Sequence, residues 1–114
     1  MASISPGTIL WVRLGPRGNF EERPSVALSS PDSGGNLYII PGSTKHARDP
    51  EREIELPSAP TRHPLTNLKK PTFVDAGWVV KIHVNDILQI KGRVPAIILV
   101  DIQNRIRKIS PGLV

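Results

Sequence analysis

Residues 7–30 read GTILWVRLGPRGNFEERPSVALSS. From 7 to 14 the side chains alternate, with Thr8, Leu10, Val12 and Leu14 on one face and Ile9, Trp11 and Arg13 on the other. A period of two predicts a strand. Gly15-Pro16-Arg17-Gly18-Asn19 is a turn by composition. Residues 25–29, SVALS, read as a second strand. The two strands form a hairpin with Arg23-Pro24 at its mouth. A guanidinium fork matches two phosphate oxygens at once, so an arginine there, in a basic chain without cysteine, points to a phosphate-handling surface.

Outward from this block, Pro31-Asp32-Ser33-Gly34-Gly35 is the clearest turn, and NLYII at 36–40 is a third strand. Residues 42–52 are polar, with Lys45, Arg48, Asp49 and Glu51, and predict an exposed loop. EIEL at 53–56 reads as a short strand. Residues 57–71 hold Pro57, Pro60, Pro64 and Pro71 and the basic pair Lys69-Lys70, which makes a second irregular stretch. Strand pieces follow at 72–75 and 78–83, broken by Ala76-Gly77. Residues 84–88 suggest a short helical turn capped by Asn85. The persuasive helix is 95–109: Pro95 opens it, and Ile98, Ile102, Arg105, Ile106 and Ile109 follow the helical period with Leu99 beside them. Arg105, Arg107 and Lys108 suit its last turns, and Pro111-Gly112 ends it. Twelve prolines chop the rest into short pieces. The fold predicted is mainly β with α additions: a small curled sheet or barrel carrying a C-terminal helix, in one domain over 1–114.

The totals agree. A chain of 114 residues makes one domain with a single core. Aromatics are only 4%, so that core is aliphatic. The absence of cysteine removes disulfides, thiolate nucleophiles and Cys-based zinc sites, and permits a cytoplasmic home. No apolar run approaches the ~20 residues that span a bilayer, and MASISPGT lacks the marks of a signal peptide. A net charge of +5 favours nucleic acid, an acidic protein segment or an anionic membrane as partner.

The order of these pieces resembles the MazF/PemK family of toxin–antitoxin ribonuclease toxins. That family opens with Gly-x-Ile/Leu-x-x-Val, a Pro/Gly turn, a Glu-bearing segment and Arg-Pro leading into a Val/Leu-rich strand. Gly7 to Val12, Pro16-Arg17-Gly18, Glu21-Glu22, Arg23-Pro24 and Ser25 to Leu28 follow that order. A third strand ends in a Pro-x-Thr/Ser box, here Ile39-Ile40-Pro41-Gly42-Ser43-Thr44. Val74-Asp75, the strand to Ile82, Ile87, Lys91-Gly92-Arg93-Val94-Pro95 and the closing helix match PemK-like patterns in outline. The resemblance implies an SH3-like β-barrel, usually a homodimer. It also implies metal-independent cleavage of single-stranded RNA without a cofactor, and neutralisation by a cognate antitoxin.

Cleavage of this kind uses the substrate's own 2′-hydroxyl. A base takes its proton, an acid protonates the leaving 5′-oxygen, and donors hold the charge building on the phosphate. The resemblance assigns the last task to Arg23, which could instead pin its turn through Glu21 or Glu22. The catalytic hydroxyl falls on Ser43, with Thr44 one step away; a turn residue bonding its own backbone is the plainer reading of Ser43. Asp75 corresponds to an acidic residue that serves as base in plasmid members, although those carry Arg where this chain has Phe73. His46, His63 and His83 are other proton carriers, and none has a metal-binding spacing. RNA contacts are expected from Arg17, Phe20, Lys45, His46, Lys69 and Lys70. Trp11 and Trp78 read as core or interface anchors. The competing reading keeps the barrel but not the chemistry: a module that docks on nucleic acid or on a protein target, as gyrase-poisoning relatives do.

Overall fold

Alternation in β1 (Thr8–Leu14) sorts its side chains between two hydrophobic clusters. Leu10 and Val12 join Ala27, Leu37, Ile39 and Ile82 in one cluster, with Leu14 packed against it. Ile9 joins Val26, Ile40, Leu56, Val74, Ile102 and Ile106 in the other. Neighbouring residues therefore bury on opposite faces of one sheet, as the pleat requires. The computed structural model describes residues 3–15, 21–45 and 49–109.

Seven strands and one helix follow in order among these residues: β1, β2 (Glu21–Ala27), β3 (Asn36–Ser43), β4 (Glu53–Leu56), β5 (Thr72–Asp75), β6 (Val80–His83), β7 (Ile87–Arg93) and α1 (Ala96–Ile109). The sheet runs β4-β5-β3-β2-β1-β7, and β6 also pairs with β3. All pairings are antiparallel. β3 is the hub: its first half pairs with β6, and Gly42 and Ser43 pass to β5. The mainly β architecture with a C-terminal helix is as expected.

β2 begins at Glu21, earlier than the sequence predicts, and includes Pro24. The β2–β3 ladder runs only from Ser25 to Ala27, so the missing N–H of Pro24 costs no bond to β3. β3 continues to Ser43 rather than stopping at Ile40. At 84–86 there is a 3-10 turn capped by the His83 side chain, not by Asn85, and the helical reading of 87–88 gives way to β7.

Ile102 and Ile106 of α1 are fully buried, while Ile98 and Leu99 pack at the margin of that cluster. The Pro95 carbonyl accepts the first helical bonds, from the Ile98 and Leu99 N–H groups. Arg105 pairs with Asp101 one turn back at 2.9 Å and reaches the carbonyls of Glu53 and Pro50, which ties the helix to the start of β4.

The stretch 57–71 has no regular element but is firmly bonded. Thr66 is fully buried; its hydroxyl donates to the Pro57 carbonyl at 2.7 Å and accepts from the Leu68 N–H. The loop lies directly against β7. A Cβ on Gly92 would sit 2.5 Å from the Leu65 carbonyl oxygen, so only glycine permits the approach.

Candidate active site

Ser25 stands opposite Pro41 in the β2–β3 ladder. Two residues back along β2 and two forward along β3 are Arg23 and Ser43, so the register carries both to one edge. Arg23 donates from Nη1 to the Gly42 carbonyl at 3.3 Å and from Nη2 to Glu21 Oε2 at 2.6 Å. Its guanidinium lies 5.4 Å from the centre of the Trp78 ring. The side chain remains 28% exposed, so the fork is held in place yet reachable.

Gly42 permits the close approach of these two strands. A Cβ there would lie 2.7 Å from the Pro24 carbonyl oxygen and 2.8 Å from Thr72 Cγ2. Ser43 follows, and its Oγ accepts the Lys45 N–H at 3.1 Å. That is the turn contact the sequence offers, and it leaves the hydroxyl proton available to an anion.

These groups open into a groove of about 1070 Å³. Arg23, Ser43, Thr44, Lys45, Lys69 and Lys70 all line it, so six of the ten residues singled out from sequence converge. Arg62 and Lys91 join them, giving among the described residues six cationic side chains against the two carboxylates of Glu21 and Glu22. Trp11, Leu68 and Leu88 supply apolar wall. Arg17, Phe20 and His46 lie outside the described residues.

Asp75 is not part of the groove lining. Its carboxylate accepts from Arg52 Nε at 3.1 Å and from the Gly77 N–H at 2.7 Å, which fixes the β5–β6 turn. Two histidines have structural work. His63 Nδ1 accepts the Leu65 and Thr66 N–H groups, each at 3.2 Å. His83 Nδ1 accepts the Asn85 N–H, which leaves Nε2 to donate to the Gly34 carbonyl at 3.0 Å. Among the described residues no three of His, Asp or Glu converge to hold a metal ion.

Sequence reasoning missed Glu21 and Glu22 as groove carboxylates, and Arg62 and Lys91 as groove cations. Lys91 stood in the sequence only as part of the Lys91-Gly92-Arg93 run, because the strand that carries it to the groove was not recognised. Arg62 has a positive φ of 108°, a backbone state that bulky residues seldom adopt and that sequence does not announce. The arrangement can grip a phosphate with a forked cation, donate a hydroxyl proton to it, and present carboxylates beside it.

The chain matches no protein-family model and no curated protein sequence. Solved structures do match. MazF in a MazE–MazF crystal structure from Deinococcus radiodurans superposes with a TM-score of 0.75 at 16% identity, over 96% of each chain. The Mycobacterium tuberculosis toxin MazF-mt6 gives 0.65 at 18% identity, over 90% of this chain and 94% of that one. An endoribonuclease in complex with its cognate antitoxin, from a mycobacterial species, gives 0.65 at 15% identity, covering 100% of this chain and 98% of that one. With the strand order and closing helix above, these superpositions show that the chain has the fold of the MazF toxins.

Proposed function

We propose that this protein is the toxin of a type II toxin–antitoxin pair: a cytoplasmic, metal-independent endoribonuclease that cuts single-stranded RNA and is held inactive by a cognate antitoxin. The observation that carries the reading is the convergence of Arg23, Ser43 and Thr44 on one basic groove in a MazF fold. The 2′-oxygen attacks phosphorus and the bond to the 5′-oxygen breaks, leaving a 2′,3′-cyclic phosphate and a 5′-hydroxyl. Arg23 holds the charge that builds on the phosphate oxygens, and the Ser43 or Thr44 hydroxyl donates to one of them. Among the described groove residues the carboxylates Glu21, which also accepts from Arg23 Nη2, and Glu22 can take the 2′-proton and pass it to the leaving 5′-oxygen. An antitoxin segment rich in acidic side chains suits the same cationic surface. The working unit is a homodimer, as the resemblance implies.

The test is incubation with a defined single-stranded RNA in EDTA, followed by end-group analysis. Wild-type protein leaves a cyclic phosphate on the 5′ fragment. Arg23→Ala loses cleavage by about 10²-fold or more while keeping its fold, the loss typical of one transition-state donor. Undiminished cleavage by that variant overturns the assignment.

A second reading follows from Asp75, whose carboxylate is engaged by Arg52 and Gly77. In it the groove binds nucleic acid or a protein target without cutting. A protein that retards RNA in a gel yet yields no fragments supports this reading over the first.

A further inference from the structure

We infer that Trp78 is a base-stacking residue of the RNA site and the positioning residue of Arg23. The inference rests on the RNA reading above and adds to it a surface outside the groove. Trp78 is not among the groove-lining residues, and it keeps 41% of its surface open. An indole this exposed forgoes burial that a tryptophan ordinarily gains. Its ring faces the Arg23 guanidinium at 5.4 Å, within cation–π range. Arg23 thus sits between the basic groove on one side and an open aromatic on the other.

The backbone that carries the indole is held by a bonded turn. The Trp78 backbone N–H donates to the Asp75 carbonyl at 2.9 Å, and the Gly77 backbone N–H to Asp75 Oδ1 at 2.7 Å. Arg52 closes the turn, pairing with Asp75 while its own carbonyl accepts the Ala76 N–H at 2.8 Å. Little backbone ordering of this turn remains to be done when a ligand arrives. A phosphate on the guanidinium brings the neighbouring base to the indole, where stacking tolerates any base because each has a π-face. The same ring limits how far the fork can swing, so it serves the phosphate and the base together. Asp75, although outside the groove, holds the turn that presents Trp78.

The experiment uses the full chain and a mixed-sequence single strand with 2′-O-methyl groups, which it can bind but not cut. Trp78→Ala weakens binding by about tenfold to a hundredfold, the loss expected for one stacked base, and raises KM more than it lowers kcat on cleavable RNA. Trp78→Phe, which keeps an aromatic face, restores most of the affinity. Binding quenches tryptophan emission in the wild type; the quench shrinks in Trp78→Phe, where Trp11 is the only tryptophan left. Unchanged affinity in Trp78→Ala overturns the inference, as does a loss that Trp78→Phe fails to restore. If the wild type binds no strand at all, the RNA reading itself falls.

Discussion

Ser43 gives its oxygen to the Lys45 N–H and keeps its proton for a ligand, whereas Thr44 stands exposed beyond the end of the strand. Rigid placement makes a donor effective, because no reorganisation is needed as charge develops. Ser43→Ala is therefore expected to lower kcat by about 10²-fold, and Thr44→Ala by far less; rates on saturating RNA distinguish the two. The carboxylates divide in the same way. Asp75 and Arg52 are each nearly half exposed, at 43% and 47%, so their pair adds at most about 1 kcal/mol to stability. Asp75→Asn keeps an oxygen for the Gly77 N–H and should cut RNA at a near-normal rate. Glu21→Gln removes a groove carboxylate on the same face of β2 as Arg23, and should lower the rate by about 10²-fold or more if it carries the proton. A large loss in Asp75→Asn with none in Glu21→Gln would move the base to β5. At this scale the sequence made Arg23 and the Ser43-Thr44 pair legible, because their types and order are informative. It could not reveal that Asp75 is engaged by Arg52, since the two are 23 residues apart and meet only through the β4–β5 pairing.

At the scale of elements, strands were readable where the pleat sends successive side chains to different surroundings. β1 splits Ile9 from Leu10 between two clusters, and β4 and β5 appear at the bounds expected. β7 was not readable. It is an edge strand with no fully buried residue and two register shifts against β1, so it carries no clean period. The start of β2 was hidden for a related reason: Glu21 and Glu22 pair with Leu14 and Arg13 at the solvent end of the hairpin, where charge replaces the apolar signal. Gly42 is where element geometry and site meet, because its missing side chain lets β3 approach the Pro24 carbonyl while its own carbonyl receives Arg23. Gly42→Ala puts a methyl against backbone, which cannot yield as a flexible side-chain tip would. The expected cost is about 1–3 kcal/mol, read as a lowered Tm. Cleavage should fall further than the fraction folded does, because the carbonyl that orients Arg23 moves with the strand. A variant with wild-type Tm and activity would show that the strands separate without consequence.

Across the whole molecule, composition announced a basic protein but not where the charge gathers. The groove draws on β1, β2, the end of β3, the 57–71 loop, the start of β5 and β7, pieces that only the folded sheet and the buried Thr66 bring together. The net charge of +5 is a total without a position, whereas among the described residues six cations line this one groove. The two arrangements make different predictions about salt. Each phosphate neutralised by a lysine or arginine releases condensed counterions, and for a single strand log K falls against log salt with a slope of about −0.7 per contact. Changing both Lys69 and Lys70 to Ala should therefore flatten the slope by about 1.4 and weaken binding for every RNA sequence alike, since phosphate contacts carry no base identity. Lys81 is exposed, pairs with Tyr38 across the β3–β6 ladder and lies outside the groove, so Lys81→Ala removes the same kind of charge from another face. It should leave the slope unchanged. Equal flattening from Lys81→Ala would mean that the strand responds to the field of the whole protein and follows no path along the groove.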